Sequence, residues 1–465
     1  MILLFVKLFL SLAIPICLGC LILKCLLKVK FFPLALLIAL SYGLGLGLLS
    51  YWMFIIAGLG LILTFKTILS TLLIICIFVY YLVRKWKFFS ESSCEASPNF
   101  PGFVNPNSTQ KREGKFSLLV PLAIFYLIFQ IFIVLWYSLN VPVSAWDDFF
   151  NFATKAKVIY FEGSLDQIRH LTYPSYPLLV PLAQVWIALS LGMWDDQLIK
   201  IIFPMAFLSF LIIYFYTLRF FTDGRGGIYG LGLLLSSSFF ILHATINYSD
   251  FYQMYYNYVT IFLILIWTRV KTNGLLVLIS LFAGLSTFTK IEGLGYLMLH
   301  LILLLIILTS QKQEGRILKI KRFLMFALPS LGMHFLYFLY KWHVQIPWEE
   351  RTHLILTLEC FQRISQVLFY MFANLFLSGN WNILWFVLLV GLFNLPNIQR
   401  KPEIGWMFWV LILFLGYYFS LGVFTNHFPY IGDKPSAQVL SRILLHQYPV
   451  CPFLIVLLNY PANFK

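Results

Sequence analysis

Two stretches pair aspartates beside a tryptophan, "SAWDDFFNFATKAKVIY" over residues 144–160 and "MWDDQLIK" over residues 193–200. Only 11% of the chain is charged, so acids set beside apolar segments ask for a reason. A carboxylate at a membrane surface can act as general base towards an acceptor hydroxyl or amine, and lysines near it can hold a phosphate. Read as a helix, the first stretch puts Asp147, Asn151 and Lys155 on one face at i, i+4 and i+8, with Asp148 and Lys157 beside them. Phe149, Phe152, Ala156 and Ile159 then face the bilayer. An interfacial helix whose acids and lysines only contact water and headgroups fits the same spacing. The second stretch has a plainer explanation. Asp195 and Asp196 precede an apolar helix expected over 197–218, where aspartate caps free N–H groups and meets the positive end of the helix dipole. Lys200 is the i, i+4 partner expected for Asp196.

Three further groups have chemistry-bearing side chains at segment ends. Asp250 lies in "HATINYSDFYQMYYNY", among tyrosines and asparagines that suit a polar, sugar-sized cleft, though it also suits a helix start. Lys290 and Glu292 share the break "TFTKIEGLGY", where they can pair with each other or Lys290 can meet an anionic headgroup. Arg442 and His446, one turn apart in "QVLSRILLHQYPVCP", can bind a phosphate and stabilise it as it leaves. They equally suit the anchoring of a terminal helix at the interface.

The elements that must position these groups follow from composition. The 465 residues are 61% hydrophobic and 19% aromatic, with a mean hydropathy of +0.86, far beyond a soluble domain. Apolar runs of roughly 17 to 25 residues recur along the chain, and in a bilayer such runs must be helices that satisfy their own backbone. An all-α polytopic membrane protein of about 12–14 transmembrane helices is expected. The short alternating strands of a membrane barrel are absent from the pattern. The net charge of +15 sits in short blocks between apolar runs, the pattern of cytoplasmic loops and not of a nucleic-acid surface. Seven cysteines, four of them in apolar runs (Cys17, Cys20, Cys25, Cys76), form neither a disulfide framework nor a zinc motif. The first apolar run is expected to be a retained anchor.

Three organisational segments are expected. Residues 1–83 hold three or four spans, with "SYGLGLGLLSYW" blurring their boundaries, and 84–115 is a basic cytoplasmic loop. Residues 116–460 form the main membrane domain, with an outer loop over 139–196. Within that loop 176–194 is apolar but short, and it carries Pro177, Pro181 and Gln184. Read as an amphipathic interfacial helix that does not cross, it leaves four later basic loops all cytoplasmic, provided 360–377 is also an outer-surface segment. On that topology twelve of the eighteen acids, Glu349, Glu350 and Asp433 among them, lie on the non-cytoplasmic face.

The order "WDD", "KAK", "YPSYPLLVPLAQVW", "WDDQLIK", "YSD", "TKIEG", "SRILLHQYP", spread over about residues 116–452, resembles the polytopic glycosyltransferases of the GT-C fold. It is most similar to the bacterial relatives of protein O-mannosyltransferases and aminoarabinose transferases. The resemblance implies inverting transfer of a sugar from a polyprenyl-phosphate donor to a protein, lipid or polysaccharide acceptor, outside a bacterial cytoplasmic membrane. It implies catalytic roles for Asp147, Asp148 and Asp250, and donor-phosphate contacts from Lys155, Lys157, Lys290, Arg442 and His446. No cofactor follows from it; a divalent metal stays open, with no ligands identified. One departure is that Ser175 and Tyr176, not a basic residue, precede Pro177. The other class to weigh is a transporter or flippase of lipid-linked glycans, which calls for inverted repeats and charges at the midplane of broken helices. No internal repeat is visible, and the distinctive charges lie at helix ends.

Overall fold

The computed structural model describes residues 2–29, 32–86, 119–311, 314–347, 353–393, 402–431 and 438–459. Most of the expected loop 84–115, with Asn107, Lys312, Glu349, Glu350, Arg400, Lys401 and Asp433, lies outside the described residues.

The protein is an all-α polytopic membrane protein. The chain begins with α1 (Ile2–Leu21), α2 (Leu34–Gly58), α3 (Phe65–Trp86) and α4 (Leu119–Asn140). Two short helices follow, α5 (Thr154–Glu162) and α6 (Leu179–Leu191), then α7 (Ile202–Phe221), α8 (Gly224–Leu235) and α9 (Ser238–His243). Next come α10 (Ser249–Val270), α11 (Asn273–Thr287), α12 (Gly293–Ser310) and α13 (Arg316–His343). The chain closes with α14 (Glu359–Phe376), α15 (Leu384–Leu392), α16 (Pro402–Phe424), α17 (Phe428–Ile431), α18 (Gln438–Leu445) and α19 (Val450–Asn459). Among the described residues there is no strand, only an isolated antiparallel bridge between Leu354 and Thr425.

Seven helices among the described residues are long and apolar enough to cross a bilayer, or eight if the bent pair Val439–Leu445 and Val450–Asn459 is one span. That is fewer than the 12–14 expected from apolar runs. Several runs fold as shorter helices: α6, with 13 residues, is about 20 Å long, against about 30 Å of hydrocarbon. Local sequence explains where some helices stop or start. Gly163 and Gly192 end α5 and α6 in left-handed backbone, with φ of 67° and 76°. Asp223 starts α8 by accepting from the Gly226 amide at 2.9 Å.

The chain forms two compact units. The first comprises Met1–Phe100, Val134–Ile213 and Ala244–Pro347. The glycine-rich stretch that blurred the early boundaries lies inside one helix, α2, and serves close packing. A Cβ on Gly43 would overlap the Tyr255 ring, and one on Gly45 would meet the Pro15 carbonyl, so helices approach there at backbone distance.

Hydrogen bonds fix which helix ends of this unit lie together. The Gln197 amide donates to the Asn140 carbonyl at 3.3 Å, and the Lys200 ammonium to the Val141 carbonyl at 2.9 Å. The end of α4 therefore meets the approach to α7, and the loop between them leaves and returns at one end of the bundle. Leu179 N bonds Phe288 O at 3.1 Å, and Leu63 N bonds Gly163 O at 2.8 Å, adding the ends of α11 and α2 to that same end. At the opposite end Lys271, between α10 and α11, pairs with Glu314, between α12 and α13, at 2.8 Å. The 22-residue α10 thus runs from one end to the other despite its polar side chains.

The two ends of the segment 140–197 thus lie together, and α6 within it is not the amphipathic helix expected. Leu179 to Ala188 are all buried, and the Trp186 indole donates to Ser11 O at 2.8 Å while stacking on Phe65. The helix is plugged among α1, α2, α3 and α5 instead of lying half in lipid.

The second unit comprises Pro101–Ile133, Tyr214–His243 and Trp348–Lys465. Within it α14 packs on α16, and α15 and α8 pack on α19. Helix α14 is two-faced: Phe361, Leu368, Phe369 and Phe372 are exposed, while Val367, Met371 and Asn374 are buried. The step from α18 to α19 is bent by 48°.

Candidate functional site

The two aspartates of the first pair fold into different surroundings. Residues 148–153 form a π-helical turn, one residue wider per turn than an α-helix, before α5 begins at Thr154. Asp147 stays half-exposed, and its Oδ1 accepts from Asn151 Nδ2 at 2.9 Å, the i, i+4 pairing expected. Asp148 turns inward and is buried, 1% exposed. The wider turn also changes the apolar face. Phe152, Ala156 and Ile159 pack inside the unit, and Trp146, Phe149 and Phe150 are the exposed ones.

Asp148 is met by two residues from distant segments. Burial pushes its carboxyl up to about 6, against the opposing pull of the Lys200 ammonium and of Asn247. Its Oδ1 has no hydrogen-bond partner among the described residues. A carboxyl that keeps its proton up to about 6 lies in the range that general bases use. The sequence had assigned Lys200 to Asp196. The actual approach to α7 is a 3-10 turn over Leu198–Ile201, which redirects Lys200 from the i, i+4 position to the Val141 carbonyl and Asp148. Asn247 carried no signal beyond its proximity to "YSD".

The lysines of "KAK" separate. Lys155 is fully buried, its ammonium donating to Tyr173 O at 2.5 Å and lying 5.5 Å from the Tyr176 ring. Tyr173 holds a left-handed backbone, φ 47°, uncommon for a residue with a Cβ. Lys157 is exposed, 5.9 Å from the Trp194 ring.

Asp250 and Lys290, 40 positions apart, meet in a buried ion pair at 2.8 Å. Glu292 joins the same ammonium at 3.1 Å. Asp250 stands in the first turn of α10, and Tyr248, not Asp250, is the capping position. The triad ties the start of α10 to the break between α11 and α12, next to Asn247. Two carboxylates already neutralise Lys290, which makes it a weak ligand for a phosphate.

Of the second "WDD" only Asp195 serves the start of the helix, which begins as a 3-10 turn at Leu198 and becomes α-helical at Ile202; Asp196 does not cap. Asp195 Oδ1 accepts from the amides of Gln197 and Leu198, both at 2.8 Å, and Asp196 Oδ1 accepts from the Trp194 indole at 2.7 Å. Arg442 and His446 belong to the second unit. Arg442 is half-buried on α18, and His446 is buried in the turn that follows, its amide bonded to Ile443 O at 3.1 Å. Ser441 beside them accepts from Asn374 at 2.8 Å and Asn380 at 2.9 Å.

Among the described residues no three His, Cys, Asp or Glu side chains gather as metal ligands. Asp250 and Glu292 converge, but on an ammonium, so no residues are assigned to a metal. Compared with known protein families, curated proteins and solved structures, the chain matches none.

Proposed function

We propose that the protein is an integral-membrane glycosyltransferase that moves a sugar from a polyprenyl-phosphate donor to an acceptor on the non-cytoplasmic face of a bacterial membrane. One observation carries the reading: Asp148 is buried, 1% exposed, at the acid-rich end of a helical membrane bundle, and burial pushes its carboxyl up to about 6. The order of motifs that resembles GT-C enzymes supports it, as does the concentration of basic residues at the opposite end, which suits a cytoplasmic side.

In this reading Asp148 takes the proton of an acceptor hydroxyl or amine as that atom attacks the anomeric carbon. The carbon–oxygen bond to phosphate breaks with inversion, and polyprenyl phosphate leaves with the bonding electrons. Lys157, exposed on α5 in the same unit, is the proposed contact for that phosphate. Lys290 is the least suited, because Asp250 and Glu292 already hold it.

Transfer from a radiolabelled polyprenyl-phosphate sugar in membranes tests the assignment. Asp148→Asn is expected to lower the rate by about 10²-fold or more, and Asp147→Asn by less. Full activity in both variants would overturn the reading.

A further inference from the structure

The segment between α5 and α6, residues 163–178, is tied down at both ends and again near its middle. Leu63 N bonds Gly163 O at 2.8 Å where the segment leaves α5, and Leu179 N bonds Phe288 O at 3.1 Å where it enters α6. Close to the second end the Tyr337 hydroxyl donates to Ser175 O at 3.0 Å. The middle tie is Lys155, whose buried ammonium donates to Tyr173 O at 2.5 Å and lies 5.5 Å from the Tyr176 ring. A lysine expected at a phosphate is thus used to hold a loop. We infer that residues 163–178 are a strap closed over the buried side of the π turn that carries Asp148, with Lys155 as its latch.

The strap and the turn meet directly. Asp148, Phe152 and Ala153 are buried members of one π turn, and the Tyr176 ring stands edge-on to the Phe152 ring at 6.5 Å. Lys155 stands at the start of α5, immediately after that turn, so the latch belongs to the element it closes. The strap is also the part of this region with the least to hold it. From Arg169 to Pro174 no residue is buried, and segments with few buried contacts open before the helices around them. Tyr173, at φ 47°, keeps a left-handed backbone that a residue with a Cβ adopts only when its surroundings hold it there. The Lys155 bond falls on the carbonyl of that same residue. A base must come within hydrogen-bond reach of the proton it takes, and Asp148 is 1% exposed, so its side of the turn has to open before it can act. The inference deepens the proposed function by naming what admits the acceptor, and it rests on that reading only for this consequence.

The test uses purified full-length protein and needs no substrate. Ala153→Cys, at a position 4% exposed on the buried side of the turn, reports opening of the strap, and Ala188→Cys, at a fully buried position on α6, reports general loosening. Labelling by a water-soluble maleimide is followed at each position by peptide mass spectrometry. Lys155→Met should speed labelling at position 153 by about tenfold or more, because the bond it removes is made by an ammonium. Tyr337→Phe, which removes a bond between neutral groups, should speed it by about threefold. Labelling at position 188 should keep its rate in both variants. An unmoved rate at position 153 in Lys155→Met, or equal acceleration at 153 and 188, would overturn the inference. If Lys155→Met does not fold, Tyr337→Phe decides it by the same two criteria. A strap that behaves as stated in a protein without sugar transfer would sink the glycosyltransferase reading alone.

Discussion

The two ends of the first unit both join a carboxylate to lysine or arginine, yet they do opposite things with it. At the basic end Glu314 sits between Lys271 at 2.8 Å and Arg322, whose guanidinium bonds its other oxygen. Burial works against its charge, but the two cations overcome that and hold its carboxyl below the usual range. At the acid-rich end the proportion reverses. One ammonium, Lys290, serves two carboxylates, while Asp148 is buried deeply enough that a nearby lysine does not restore its ordinary affinity for protons. A carboxylate between two cations closes two loops, whereas the buried Asp148 keeps its proton to higher pH.

Removing the central cation from each end tests this contrast most strongly. Lys290→Met should destabilise the protein by about 3–5 kcal/mol, because the fully buried Asp250 loses the ammonium 2.8 Å from it. Lys271→Met should cost about 1 kcal/mol or less, since Lys271 is 35% exposed and Arg322 still holds Glu314. Thermal unfolding in detergent at pH 7 measures both, and equal losses would erase the distinction between the ends.

Protonation gives a second contrast. Asp148 binds its proton more tightly folded, at about 6, than its ordinary 3.8, so its contribution to stability falls as pH rises between those values. Two units correspond to roughly 3 kcal/mol, so Asp148→Asn should be more stable than wild type by about that much at pH 8 and no different at pH 3.5. Glu314 works the other way. Its folded pKa is depressed, so its contribution is present above the ordinary glutamate range and is lost as pH falls through the depressed value. Stability curves against pH for Asp148→Asn and Glu314→Gln should therefore diverge from wild type at opposite ends of the range.

The smallest effect sharpens the comparison between the two acids of the second pair. Asp195→Ala removes two amide acceptances and should cost about 1 kcal/mol, while Asp196→Ala, whose carboxylate is exposed, should stay within about 0.5 kcal/mol. The same unfolding measurement reads both.

Much of the fold was legible because it rests on local patterns. Apolar runs identified helices, the glycines at 163 and 192 marked two ends, and Asp195 announced its cap. The count of spans was less legible, since an apolar run reads alike whether it crosses lipid or, like α6, is buried within protein. The candidate site was legible in part. Asp147 with Asn151 followed from helical spacing, and Lys290 with Glu292 from their closeness in sequence. The π turn at 148–153 and the 3-10 turn at 198–201 were not, because each changes side-chain direction with no change in residue type.

The sequence by itself determined that this chain lives in a membrane as helices, that its acids collect at certain helix ends, and that Asp195 accepts amides at a helix start. Those outcomes depend on hydropathy and on contacts a few residues apart. Only the tertiary structure decided that Asp148 and not Asp147 turns inward, and that Lys200 turns to a carbonyl 59 positions away. It also decided that Asp250 is tied to Lys290. A buried charge takes whichever partner the packing brings within reach, and that choice is made by the fold as a whole.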